Sequence, residues 1–210
     1  MVTLLTAVIV GVPAVREPIL RAVGRALVVK EPIAPADTIV IALDAGGAGV
    51  LEAADLVQSG IATRVAVFAD PPGRVDHEFI RRGLPYEDQA ARQIRQLGML
   101  GVRDIVTIPR TAAGTQGEGE VLPVWCDQHR FGSIVIVTTT DHSRRLRRVL
   151  DRSMNGHKTR IAIQPSRYSD FDPDRWWETR SGMRTAIIEL QKLLLDVVLH
   201  PALSPVVAAH

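Results

Sequence analysis

Cysteine is almost missing from this chain of 210 residues. Cys126 stands alone, so no disulfide can close within the chain and no cysteine-based zinc site can form. Aromatic residues make up only 4% of the sequence, too few for a base-stacking surface. Neither sign of charge dominates: 25 Lys and Arg stand against 23 Asp and Glu. Such a balance leaves no electrostatic footprint for nucleic acid, and no nucleic-acid partner is expected. No internal repeat is visible. The GxSxG, HExxH, GxxxxGK[ST] and GxGxxG signatures are all absent, so the sequence names no reaction. Long hydrophobic runs are missing too. The uncharged apolar stretch Val2 to Val15 is fourteen residues, short of the about 20 needed to cross hydrocarbon.

That stretch, VTLLTAVIVGVPAV, is nevertheless the most apolar part of the chain, and an amphipathic ILRAVGRALVV follows it. It reads in three ways: a membrane anchor, a signal-like or interfacial segment, or a helix packed on the domain. Residues 1–30 are therefore expected to form an apolar N-terminal helix that associates with a membrane. Arg16, Arg21, Arg25 and Lys30 follow the run and by the positive-inside tendency would keep the domain cytoplasmic, although the side of the membrane stays open. EPIAPAD, residues 31–37, reads as a linker, residues 31–200 as one domain, and residues 201–210 as a loose tail.

Within the domain, Val- and Ile-rich runs recur at TIVIAL (38–43), RVAVFA (64–69), DIVTIP (104–109), SIVIVTT (133–139) and RIAIQP (160–165). Their apolar residues are continuous rather than alternating, as in strands covered on both faces. Helix-like segments at 50–60, 86–101 and 118–132 separate them, each ending at glycine. This alternation predicts an α/β fold: a Rossmann-like, doubly wound, mostly parallel sheet of about five strands with helices on both faces. The segment 176–199 predicts a long final helix, with Ile187, Leu190, Leu194 and Val198 at helical spacing. Asp70 to Pro85 reads as the longest irregular connection.

Ligands of open α/β sheets sit beyond the carboxyl ends of the strands. Four sequences fall there, of which ADPPG (69–73), after the second strand, is one. DAGGAG (44–49) brings Gly46 and Gly47 to a helix start, where backbone N–H groups favour anions. In PRTAAGTQGEGE (109–120), Thr115 and Glu118 have the spacing of a capping box. VTTTDHSRR (137–145) passes from buried strand to basic helix within nine residues. Thr139 and Thr140 end the strand, Thr140 or Asp141 can cap the helix, and His142 and Arg145 share one helical face. A basic pair in a first helical turn opposes the helix dipole, so it fits best with an anion bound there. In this reading His142 is the acid/base or anion contact, Arg145 neutralises charge, and Glu118 orients the histidine or a water. SDFDPD (169–174) reads as an acidic loop, Trp176 and Trp177 as packing of the last helix, and His77 with Glu78 as surface.

Together these motifs resemble the YdcF/SanA/ElyC-like family of bacterial envelope-associated proteins, over roughly Leu20 to Leu199. GRALVVKEPIAPADTIVIAL, the glycines 46–47 and EAADLVQSGIATRVAV (52–67) follow the family's order. Thr115 and Glu118 match its Thr-x-x-Asn/Glu pattern, and VTTTDHSRR its V-T-[ST]-x-x-H-x-x-R, placing His142 and Arg145. The resemblance implies a Rossmann-like domain behind an N-terminal membrane segment and a role in envelope or cell-wall-lipid metabolism, with S-adenosylmethionine as a cofactor in one member. Two positions depart. Gly49 stands where the family usually has Arg, and Ala69-Asp70-Pro71-Pro72-Gly73 replaces its Ser-Gly-Gly.

The functional expectation is a membrane-associated protein that binds a phosphate- or carboxylate-bearing metabolite or lipid-linked precursor in cell-envelope biogenesis. Gly46, Gly47, Thr115, Thr139, Thr140 and Arg145 would contact the ligand, with His142 and Glu118 as candidate catalytic groups and no metal. A non-enzymatic envelope sensor, and a soluble nucleotide- or S-adenosylmethionine-using transferase, are the alternatives.

Overall fold

The computed structural model describes residues 13–109 and 114–201. Five strands form one sheet in the order β3-β2-β1-β4-β5, and every neighbouring pair is parallel. The strands are β1 (Thr38–Ile41), β2 (Arg64–Ala69), β3 (Asp104–Pro109), β4 (Ser133–Thr138) and β5 (Arg160–Pro165). Helices α1 (Pro13–Arg25), α2 (Gly46–Gln58), α3 (Arg74–Arg81), α4 (Gln89–Met99), α5 (Gly114–His129), α6 (Ser143–Ser153) and α7 (Arg180–Leu199) accompany them. The α/β alternation read from the sequence thus holds, and all five strands fall where the apolar runs lie.

Side chains of a strand alternate between its faces, and the core splits accordingly. Ile39, Ile41, Val65, Val67, Val135 and Val137 meet α2 and α4 through Val50, Ala53 and Leu97. Val40, Ala66, Ile134, Ile136 and Ile163 point the other way, onto Leu122, Trp125 and Cys126 of α5 and Leu146 and Leu150 of α6. Both faces are covered, which is why the central strands show no polar alternation. A third cluster, Leu27, Phe171, Trp176 and Ala186, joins the end of α1 to α7. The Trp176 indole N–H donates to the Leu20 carbonyl at 2.8 Å.

Several local expectations change. The Asp70 to Pro85 connection contains α3. The Asp76 carboxylate accepts the Gly73 N–H at 2.8 Å, and Glu78 pairs with Arg81 and Arg82 one turn on. No residue of α3 is buried, so no core-facing stripe marked it in the sequence. The EPIAPAD linker is docked: Glu31 accepts the Ile163 N–H through its side chain and donates its own N–H to the Ile163 carbonyl. It thereby covers the outer edge of β5.

The described part of the N-terminal helix, α1, carries Arg16, Glu17, Arg21 and Arg25 and is amphipathic rather than uniformly apolar. The rest of the Val2 to Val15 run, like residues 202–210 of the expected tail, lies outside the described residues. No helix among the described residues is long and apolar enough to cross a membrane. In α7 the helical spacing holds, but Ile187, Leu194 and Val198 face outward. The inner face is made instead by Ala186, Glu189, Leu190 and Leu193.

Candidate functional site

The order β3-β2-β1-β4-β5 reverses direction between β1 and β4, and crevices at such reversals are the ligand sites of doubly wound sheets. Here Asp44, in the 3-10 turn Leu43–Ala45 after β1, reaches across to the end of β4. Its carboxylate accepts from Thr138 Oγ1 (2.9 and 3.1 Å), the Thr139 N–H (2.8 Å) and Thr139 Oγ1 (2.5 Å). A cavity of about 420 Å³ opens beside this staple. Asp44, Thr139, Asp141, Asp170, Ser181 and Thr185 supply most of its polar wall, and Gly47 with Ala48 brings the first turn of α2 to it.

Two glycines shape that turn for different reasons. Gly46 has φ +47° and ψ −136°, a conformation that excludes side chains. Gly49 is locked by packing: an added Cβ would lie 2.5 Å from Ala45 Cβ and 2.7 Å from Ile41 Cγ2. No side chain, arginine included, fits at Gly49 with α2 this close to β1. A Cβ at Gly46 or Gly47, by contrast, meets nothing within 4 Å.

Thr115, His142 and Arg145 gather in a second cluster, together with a residue the sequence reading missed. His142, 3% exposed, sits with Nε2 3.2 Å from Thr115 Oγ1 and Nδ1 3.3 Å from a Glu189 carboxylate oxygen. Arg145 donates from Nε to Glu189 (2.9 Å) and from Nη1 to Thr115 Oγ1 (3.1 Å), and its Nη2 lies 2.9 Å from His142 Nδ1. Lys192 closes the far side of Glu189 at 2.8 Å. Burial pushes the Glu189 carboxyl up. Hydrogen bonds from His142, Arg145 and Lys192 outweigh it and hold the group well below the usual carboxylate range. Arg145 is therefore neutralised by a carboxylate of α7.

No family model, no curated protein and no solved structure matches this chain. The site has to be read from its own geometry.

The eight residues singled out from the sequence do not form one constellation. Gly47 and Thr139 line the cavity, and Gly46 makes the turn that leads into Gly47. Thr140 is turned to the β5 side, donating to the Ser166 carbonyl at 3.4 Å and receiving Ser169 Oγ on its N–H at 3.2 Å. His142 precedes α6 without capping it, and so does Thr140. Thr115 and Glu118 make no capping box, because α5 begins at Gly114 and both lie inside it. Glu118, 2% exposed, accepts the Leu43 N–H at 2.8 Å and so steadies the turn that carries Asp44. Asp141, read as a cap, instead lines the cavity.

Asp141 is the electrostatically unusual group there. Burial raises its pKa, the Thr139 hydroxyl opposes this, and Glu189 and Asp44 add to the rise. A carboxyl whose folded pKa is raised keeps its proton more tightly in the fold. Its stabilising form is then lost as pH climbs past the ordinary value. Asp141→Asn should therefore raise the melting temperature at pH 7 and change it little at pH 3.5. Melting curves at both values check this. A drop at pH 7 would mean that the ionised carboxylate supports the fold.

The side chains that line the cavity offer hydrogen bonding. No group of three or more His, Cys, Asp and Glu among the described residues could hold a metal ion. Cys126 is buried, and burial pushes its thiol up to about 12, so it stays protonated.

Proposed function

We propose that this chain is a diverged YdcF/SanA/ElyC-like binding protein that holds a sugar-bearing phosphate or carboxylate metabolite in the cavity between β1 and β4. The observation that carries this reading is the cavity at the reversal of strand order, with a glycine-opened helix on one side and hydroxyl and carboxylate side chains around it. The anionic group belongs at the first turn of α2, where Gly47 and Ala48 line the cavity, Gly47 leaves room and a helix N-terminus favours anions. Asp44, Asp141 and Asp170 suit ligand hydroxyl and N–H donors, since carboxylates only accept when ionised. Its context is envelope metabolism at a membrane, to which the Val2 to Val15 run brings the chain.

Binding without turnover is the reading favoured here by a specific observation. His142 is almost fully buried, both its ring nitrogens are engaged, and Arg145 is already paired. Acid/base work by His142 would require the ligand to displace Thr115 from Nε2. The rival, a transferase using a nucleotide or S-adenosylmethionine, would place its cofactor in the same cavity.

Thermal-shift and calorimetric titration with sugar phosphates, nucleotide sugars, inorganic phosphate and S-adenosylmethionine tests the reading. A sugar phosphate or nucleotide sugar is expected to stabilise the chain. Gly47→Val is expected to abolish that shift while leaving the ligand-free melting temperature in place, because a side chain there points into open space. Stabilisation by S-adenosylmethionine alone would move the assignment to the transferase. Unaltered affinity in Gly47→Val would place the ligand elsewhere.

A further inference from the structure

Large apolar side chains rarely form wide contiguous patches on soluble monomers, yet α7 carries one along most of its length. Met183, Ile187, Leu194 and Val198 make one outward stripe, with Leu195 and Leu199 beside it. Their exposures run from 39% at Met183 to 67% at Val198. At 100° per residue the two rows cover nearly half of the helix circumference, opposite the face that packs Ala186, Leu190 and Leu193 onto the domain. Arg180 and Arg184 lie on the same outward face, at its N-terminal end, and both are exposed. The neighbouring α1, joined to α7 through the cluster of Leu20, Val23, Leu190 and Leu193, adds exposed Val15 and Ile19 and the exposed Arg16 and Arg21.

We propose that the outward face of α7 lies on an anionic lipid surface and acts as the second membrane contact of this chain. The inference rests on the membrane reading of the Val2 to Val15 run. Two arguments select a lipid occupant. First, stable attachment of a short apolar segment takes two signals, and the run reaches into α1 at Pro13 to Val15. The cluster that joins α1 to α7 puts the outward face of α7 next to the helix in which the run ends. Second, the charged side chains bordering the patch are mainly basic: Arg16, Arg180 and Arg184, with Arg21 paired to Glu17 and Lys192 paired to Glu189, as suits phosphate headgroups. The C-terminal half exposes Leu194, Leu195, Val198 and Leu199 and is suited to the acyl boundary.

The test is flotation of the full chain with phosphatidylcholine vesicles, with and without phosphatidylglycerol, alongside light scattering without lipid. The full chain should float, more strongly with the anionic lipid. Ile187→Ser/Leu194→Ser/Val198→Ser should keep its melting temperature and lose about tenfold or more in partitioning, since exposing each side chain forfeits its transfer energy. Leu5→Asp/Ile9→Asp should weaken flotation through the other contact. If the serine variant floats like the parent while the aspartate variant does not, α7 is not a lipid contact and the N-terminal reading survives alone. If neither parent nor variant floats, both readings fall. A parent dimer that the serine variant converts to monomer, with flotation unchanged, would assign the face to a second copy instead.

Discussion

Glu189→Ala should cost about 3 to 5 kcal/mol of stability, the typical loss when one partner is cut from a buried ion pair. Glu189 is 7% exposed and receives Arg145, Lys192 and the His142 ring at once. Without it, the Arg145 guanidinium, largely covered, keeps only Thr115 and the His142 ring. In a chain of this length each kcal/mol moves the melting temperature by about 2 to 4 °C, so the loss is easily read by calorimetry. Replacing both partners, as Glu189→Leu/Arg145→Leu, should recover much of it, because apolar pairs of similar volume often replace buried ion pairs at no loss. A Glu189→Ala cost below about 1 kcal/mol would mean the cluster behaves as a surface pair.

The same carboxylate sets an acid limb. Its folded pKa lies below its ordinary value of 4.5. Its contribution is therefore full above that value and is lost as pH falls below it. The parent should lose melting temperature steeply below pH 4.5, and Glu189→Leu/Arg145→Leu should lose it less steeply. Parallel acid limbs in the two proteins would place the responsible carboxylates elsewhere.

Glu189 also marks where the sequence stopped being legible. The strands were readable because each is a run of β-branched residues with both faces covered, so composition alone exposes it. The first turn of α6 was read as basic and unsatisfied, and an anion was supplied to satisfy it. The actual counter-charge comes from more than forty residues away, a single glutamate in the apolar run AIIELQKLLL. Nothing local ties Glu189 to His142. A lone carboxylate within an apolar helix was nonetheless a signal, since burial of such a group requires cationic partners. Asp44 was likewise in plain view inside DAGGAG, but its role depends on β1 and β4 being neighbours, and strand order is not written in any strand. The α7 patch failed for the opposite reason: helical spacing marks an apolar stripe without saying which side the core lies on, and here Ala186 packs inward while Leu194 does not.

Gly49→Ala is the other substitution expected to be severe, although it adds a single methyl. The new Cβ would stand 2.5 Å from Ala45 Cβ and 2.7 Å from Ile41 Cγ2. Neither neighbour can swing aside: Ala45 Cβ is fixed by the backbone of the turn before α2, and Ile41 ends the central strand with 1% exposure. Relief requires α2 to lift from the sheet, opening the contacts of Val50, Ala53 and Ala54 with β1 and β4. Overpacking of this kind costs about 1 to 3 kcal/mol and sometimes more, against a helix-propensity gain of about 1 kcal/mol for replacing glycine by alanine. Two controls separate the terms. Gly98→Ala, in α4 with nothing within 4 Å of the new Cβ, should keep the propensity gain and raise the melting temperature. Gly47→Ala, at the cavity wall and equally uncrowded, should leave it near the parent. Gly49→Ala should lower it by several degrees, and because α2 forms the cavity wall at Gly47 and Ala48, ligand stabilisation should fall with it. A Gly49→Ala protein that melts at or above the parent temperature would show that α2 has room to move.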